Sequence, residues 1–394
     1  MRVRLLDLSH QYGALANEIR AATDEVLASQ RFILGPKVAQ FEKAAAEYCG
    51  APHAIGVSSG TDALLAVFMA LEIGLGDAVI TTAYSFFATG GCIARVGATP
   101  VLIDTEPDTY NISASALRRY IEKSCQVVDG KLVNENRQLI RALVPAHLFG
   151  LCCDMNEMVA IAREHNLVLI EDAAQAIGAQ FQLENKAAKA GTMSDAGCFS
   201  FYPSKNLGAA GDAGLIVCHH PEFADRLRVC RQHGMEARYE HQFIGGNFRL
   251  DELQAAILNV KLPYLDRWSA ARREAAKFYT SELERAGLRG KIRLPVEPYA
   301  KSGLTNHHIY HQYVIRSPKR DELRDHLSKQ EIETAIYYPL ALHEQPCFEY
   351  LGYKAGDFPE AESAARETLA LPIYPEIPRE AQQHVVNCIA EFFG

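Results

Sequence analysis

The sequence predicts an α/β fold in which a mostly parallel sheet lies between layers of helix and is followed by a smaller α+β unit. Three observations carry that expectation. Short continuous apolar runs recur through the first two-thirds of the 394 residues, segments of helical spacing lie between them, and a long helical stretch beginning near Asp251 leads into a sparser mixture of signals. Apolar runs without alternation suit strands buried on both faces, as in a parallel sheet covered by helices.

In order, the expected strands are Val79–Thr82, Thr99–Ile103, Leu143–Ala146, Leu167–Ile170, Cys198–Phe201 and Leu215–Cys218. Helices are expected between them at Thr61–Leu71, Ala114–Lys123 and Asn156–Glu164. From Asp251 to Ala286 Arg, Lys and Glu alternate along one presumed outer face, the pattern of a long connecting helix. Beyond it come a strand over Tyr310–Ile315, a helix over Lys319–Lys329 and a tail punctuated by proline. The expected division is a large unit of residues 1–255, N-terminal segment included, and a connector with a small unit over 256–394.

Composition narrows the function. With 48 acidic against 40 basic residues the formal charge is -8, and no Lys/Arg block offers a track for a phosphate backbone, so nucleic acid is not an expected partner. The ten cysteines form no C-x-x-C pair, and Cys198 and Cys218 sit in apolar runs, which suits a reducing cytoplasm. His147, His165 and His233 have no ligand spacing, so no metal site is expected. Charge interrupts the N-terminus before a signal-peptide core could form, and the longest apolar run, Ala63–Leu71, is far short of the ~20 residues that span a bilayer. A soluble cytoplasmic protein is expected.

Three segments carry chemistry because they fall where strands of an open α/β sheet should end, the usual ligand edge of such sheets. Ser58-Ser59-Gly60-Thr61-Asp62 is a turn of small residues leading into a helix, either a plain N-cap or a seat for phosphate. Glu171-Asp172-Ala173-Ala174-Gln175 ends an apolar run in paired carboxylates. One of them either caps a helix or holds a cofactor's ring nitrogen protonated. Cys198 to Gly208 places Lys205 in a loop between two apolar runs, where a partly desolvated amine could form an imine with an aldehyde. The spacing from Gly208 to Gly214 is not that of a dinucleotide fingerprint.

Taken together, the three segments resemble the DegT/StrS-type sugar aminotransferases, a branch of the fold-type I pyridoxal-phosphate enzymes. The likeness begins at Leu6-Asp7-Leu8 and Arg31-Phe32-Ile33-Leu34-Gly35-Pro36. It extends through Gly246-Asn247-Phe248-Arg249-Leu250-Asp251-Glu252 to Tyr338-Pro339-Leu340-Ala341-Leu342-His343. Departures are small: the family often has proline where Ala83 and Ala341 stand.

The resemblance implies an aspartate-aminotransferase-like fold with a seven-stranded type of sheet, bound pyridoxal 5'-phosphate, and a nucleotide-linked keto sugar aminated at the expense of an amino acid such as glutamate. It makes Lys205 the imine-forming lysine, Asp172 the partner of the pyridinium nitrogen and Gln175 that of the phenolic oxygen. Gly60, Thr61 and Ser200 would hold the phosphate and Phe86 would stack on the ring, with Phe87 the core member of that pair. Asn247 matches a residue that reaches the other subunit's cofactor, so a homodimer with shared sites is implied, while Arg249 is either part of that contact or an ion-pair residue. Tyr338 and His343 match the segment lining the sugar site. Arg238, with Tyr239 and His241, forms a basic and aromatic loop that could clamp a nucleoside diphosphate, or is a solvated surface loop. Gln175 favours amination at C3 over C4, since relatives acting at C4 often carry histidine there. A dehydratase of the same fold would carry histidine at Lys205, and a cofactor-binding regulator without activity is the other rival.

Overall fold

The computed structural model describes residues 1–394. The first half contains α1 (Ser9–Ser29), α2 (Pro36–Cys49), β1 (His53–Val57), α3 (Gly60–Ala70), β2 (Asp77–Thr82), α4 (Phe87–Arg95), β3 (Thr99–Ile103), α5 (Ala114–Ser124), β4 (Cys125–Val128), β5 (Lys131–Asn134), β6 (Leu139–Val144), α6 (Met155–Glu164) and β7 (Val168–Asp172). Then follow β8 (Gln180–Leu183), β9 (Lys186–Lys189), β10 (Ala196–Ser200), β11 (Gly214–Cys218), α7 (Pro221–Cys230), β12 (Met235–Ala237), β13 (Glu240–His241), α8 (Glu252–Lys261) and α9 (Leu265–Arg285). The chain ends with β14 (Tyr313–Arg316), α10 (Arg320–Lys329), α11 (Pro359–Glu367), β15 (Thr368–Leu371) and α12 (Arg379–Phe393).

The central sheet runs β1-β11-β10-β7-β6-β2-β3, with the β4–β5 hairpin added beside β6. Of the seven strands on that path only β11 runs against the others, pairing antiparallel with both β1 and β10. The mostly parallel α/β fold expected from the apolar runs is therefore present. Alternate residues of one strand serve two cores. Leu215 and Val217 of β11 point into the layer with α2, α5, α6 and α8, whereas Ile216 and Cys218 meet α3, α4 and α7 on the other side. A run buried on both faces is apolar at every position, which hides strand direction from the sequence.

The long helix expected over 251–286 is broken. Leu262–Tyr264 forms one tighter turn around Pro263, and α8 and α9 are separate helices. The expected division between residues 255 and 256 falls inside α8, whose Leu258, with Leu262 and Leu265 beyond it, belongs to the core under the sheet. The N-terminal segment also departs from expectation. Val3 pairs with Ile332 and packs in the core of α9, β14, α10, β15 and α12, because its strand register lies with the small unit and not with the sheet. No helix is long and apolar enough to cross a membrane.

Helix α2 has no side-chain cap of its own. Buried Glu252, at the start of α8, supplies it from a distance, accepting from the Lys37 N–H at 2.9 Å and the Val38 N–H at 2.8 Å. Two bonds to one buried carboxylate link the sequence-distant helices that flank the sheet edge. Replacing Glu252 by alanine strands both donors, and the unfolding free energy should fall by about 2 kcal/mol in a urea titration.

Candidate active site

The site is built where three parallel strand ends meet. Gly214, at the start of β11, pairs with Val57 of β1 on one side and Ser200 of β10 on the other, and Cys198 of β10 pairs with Asp172 of β7. The segment after β1, the loop after β10 and the end of β7 therefore open on one cavity of about 540 Å³.

At its floor, Ser59 caps α3 by accepting from the Asp62 N–H at 3.0 Å. The first N–H groups of a helix have no intrahelical acceptor, so an anion is favoured at Gly60 and Thr61. Gly60 is required there, because a Cβ would lie 2.7 Å from that of Ser200. The helix start and the Ser200 hydroxyl thus line one small cup. A phosphate group suits this cup in size and charge.

The paired carboxylates point opposite ways, as strand alternation requires. Glu171 is fully buried and accepts from the Gly191 and Met193 N–H groups, both at 2.7 Å, from the Ser194 hydroxyl at 2.8 Å and from His147 Nε2 at 2.8 Å. His147 Nδ1 accepts from the Cys153 N–H at 3.1 Å, which leaves the ring proton on Nε2. Asp172 faces the cavity and is held by the Thr89 hydroxyl at 2.7 Å and the Ala174 N–H at 3.2 Å.

Lys205 follows β10 and lines the same cavity. Burial pulls its ammonium down to about 8, while the Asp172 charge works in the opposite direction. Such a lysine has a sizeable fraction of free amine near neutral pH. A cup for phosphate, a carboxylate facing the cavity and a reactive amine are what a pyridoxal-phosphate ring needs, so the residues present fit that group.

Phe86 is 55% exposed on the cavity wall, with its ring 5.8 Å from that of Tyr338. Phe87 turns onto Phe348, ring centres 5.5 Å apart, yet is 43% exposed, so it is not the core residue expected. Gln175 Oε1 accepts from the Phe149 N–H at 2.7 Å, and its Nε2 donates to the Tyr338 hydroxyl at 2.9 Å. One Nε2 hydrogen is left for a ligand.

Three expected residues lie outside this cavity. His343 is buried with Nε2 3.2 Å from Glu362 and its ring against Phe358, because the short turn Leu342–Glu344 directs it into the small unit. Arg238 stands on the exposed β12–β13 hairpin over the Tyr239 ring. Asn247 is exposed, bridged through its backbone to Gln232. Arg249, the alternative ion-pair residue, pairs by backbone with Val57, and its buried Nε has no hydrogen-bond partner. Conversely, His147, Tyr202, Asp212, His311, Gln312 and Tyr337 line the cavity without having been singled out as ligand contacts. Tyr337 carried a signal in its place beside Tyr338, and Tyr202 in its place three residues before Lys205.

Residues 14–390 match the model of the DegT/DnrJ/EryC1/StrS aminotransferase family. The chain belongs to that family. The resemblance read from the sequence is thereby borne out. This aminotransferase is 47% identical over 393 residues to a protein of Geobacillus stearothermophilus named pleiotropic regulatory protein, covering 100% of this chain and 99% of that one. It is 38% identical over 391 residues to the dTDP-3-amino-3,4,6-trideoxy-alpha-D-glucose transaminase of Streptomyces venezuelae, covering 99% and 96%. Among solved structures, that of Streptomyces venezuelae DesV in complex with a ketimine intermediate superposes with a TM-score of 0.88 at 37% identity, covering 99% of this chain and 98% of that one.

The opposing influences on Lys205 give a signed test of the aminotransferase site. Asp172→Asn removes the charge that favours the ammonium, so the lysine should titrate below about 8. Reductive methylation of cofactor-free protein across a pH series, read at Lys205 by mass spectrometry, should show the midpoint moving to lower pH.

Proposed function

We propose that this aminotransferase transfers an amino group from an amino-acid donor to a keto sugar carried on a nucleoside diphosphate, with pyridoxal 5'-phosphate as cofactor. The observation that carries the reading is Lys205, its ammonium lowered to about 8, in one cavity with Asp172 and the α3 phosphate cup. The sugar class is supported by the name of the Streptomyces venezuelae transaminase.

Gly60, Thr61 and Ser200 would hold the cofactor phosphate, Asp172 the protonated ring nitrogen, Gln175 the phenolic oxygen through its remaining Nε2 hydrogen, and Phe86 one ring face. When bound, the cofactor supplies an electron sink that lets a proton leave the carbon bearing nitrogen. The chain's own contribution is to move that proton. Within each half-reaction Lys205 would act as a free amine toward the carbon that loses a proton and, as the resulting ammonium, deliver it to the carbon that gains one, the sugar carbon being the recipient in the second half. Thr89 and the Ala174 N–H keep the Asp172 carboxylate aimed, and Tyr338 with Tyr337 closes the sugar side. All ten cysteines are free thiols, which suits the reducing interior of a cell.

We further propose a homodimer with shared sites. Asn247 and Arg238 are exposed and outside their own chain's cavity, the placement required of residues that serve a neighbour's cofactor and nucleotide. Amination at C3 is the favoured outcome, on Gln175 and on the 3-amino product in the relative's name. The regulatory name of the Geobacillus relative favours a second reading, a cofactor-binding sensor. The Lys205 and Asp172 geometry supports catalysis instead.

Lys205→Ala should retain cofactor in equilibrium dialysis, since the cup is independent of the amine, and lose at least about a thousandfold in transamination rate. A variant as active as wild type would remove Lys205 from the mechanism. For regiochemistry, matched 3-keto and 4-keto sugars on UDP and dTDP should yield an amine at C3 by NMR. An amine at C4 alone would reverse that choice and leave the transamination intact. Sedimentation should find an active dimer, and a fully active monomer would contradict the shared site.

A further inference from the structure

Tyr84 lies in the turn between β2 and α4, is 1% exposed and does not line the cavity, yet its one hydroxyl is used in full. It donates to the Tyr337 carbonyl at 2.6 Å and accepts from the Tyr338 N–H at 2.7 Å, the two polar groups of a single peptide unit. Its third contact is the Thr368 hydroxyl at 2.9 Å, which must be the donor there, since the Tyr84 proton is already committed. The segment it grips has no regular structure. Ala335 is tied to Ala370 before it, and the Leu342 N–H donates to the Ala83 carbonyl after it. Between those anchors Tyr84 fastens the peptide from which the Tyr337 and Tyr338 side chains reach the cavity.

The grip is transmitted to both walls. Phe86, two residues beyond Tyr84, forms one wall, and the Tyr338 ring stands 5.8 Å from it. The Tyr338 hydroxyl accepts from Gln175 Nε2, and Gln175 Oε1 accepts from the Phe149 N–H. A continuous series of hydrogen bonds therefore joins Tyr84 of the large unit, through the backbone and ring of Tyr338, to the end of β7.

We propose that Tyr84 is a positioning residue that fixes the distance between the Phe86 wall and the Tyr337–Tyr338 wall, and so sets the fit of the keto sugar without touching it. The inference rests on the transaminase reading for the identity of the ligand, but the grip itself is independent of that reading. Losing the hydroxyl leaves two part-buried peptide groups unpartnered on a segment whose only other central tie is the side-chain bond from Gln175 to the Tyr338 hydroxyl. The wall then loosens on the sugar side. The phosphate cup, Asp172 and Lys205 do not depend on it.

The test is Tyr84→Phe in the cofactor-loaded enzyme, one oxygen smaller and otherwise the same shape. Hydrogen exchange at the Tyr338 amide should accelerate by at least about tenfold, and the KM for the keto sugar should rise roughly tenfold. The cofactor absorption spectrum, the half-reaction with the amino-acid donor and kcat should stay within about twofold of wild type. Tyr338→Phe removes the Gln175 contact but keeps the Tyr84 bonds, so it should raise the sugar KM and leave Tyr338 amide exchange slow. Unchanged exchange at Tyr338 in Tyr84→Phe overturns the proposal, and so does a loss of donor half-reaction equal to that with sugar, which would mark a general structural defect. Should that variant fail to fold, the wild-type Tyr338 amide decides. Protection supports the grip, and exchange at the rate of an open loop overturns it. A wild-type enzyme that aminates no keto sugar would defeat the functional reading while exchange at Tyr338 still reported on Tyr84.

Discussion

A carboxylate sealed from solvent governs the cavity. Glu171 accepts from two backbone N–H groups, a serine hydroxyl and a histidine, so both carboxylate oxygens are hydrogen-bonded, and turning it elsewhere would leave several buried groups without partners. The end of β7 cannot rotate, and alternation then gives Asp172 only one direction, into the cavity. The same contacts bring residues 191–194 beneath β10. Gly197 of that strand crosses so close to Gly191 that a Cβ would lie 2.3 Å from its Cα. Glu171 therefore places Asp172 directly and, through the loop packed under β10, supports the strand that delivers Lys205.

The single reversed strand has an equally local effect. Because β11 runs against β1 and β10, its first residue, Gly214, sits between the last residues of both, and a Cβ there would lie 2.4 Å from the Ser59 carbonyl carbon. This close approach draws the start of α3 toward Ser200 and makes one cup from segments far apart in the sequence and one strand apart in the sheet. The large unit thus supplies the anion cup, carboxylate and amine from rigid strand ends, while a loop of the small unit supplies the opposite wall. On the proposed reading, the groups that would act on the cofactor come from strand ends, and one of the two walls that would fit the sugar comes from a distant loop.

Much of this was legible in the sequence. Thr99–Ile103 was found with its observed limits because turn residues bracket a short apolar run, and the start of α3 was marked by the Ser-Gly-Thr turn. The direction of β11 was not legible, since a strand buried on both faces looks alike either way round. Pro263 signalled a break that helical periodicity on both sides obscured. Among candidate site residues, Asp172 was readable because it ends a strand and Lys205 because it lies in the loop that follows one. His343 misled because the short turn that reverses its side chain depends on the Ala83 carbonyl, hundreds of residues away in the chain. Tyr84 was invisible for the same reason, since a tyrosine after a strand reads as core until its hydroxyl partners are known.

Val3 joins Ile332 in the core of the small unit, together with Val385 and Ile389 of α12. Val3 therefore finds these partners only after residues 332–389 have been made. Until then its apolar side chain has no native place to be buried, whereas most sheet contacts of the large unit join segments already synthesised. The core that Val3 joins thus cannot be completed before α12 is made, whereas the strands of the central sheet, all within residues 53–218, can pair before that point.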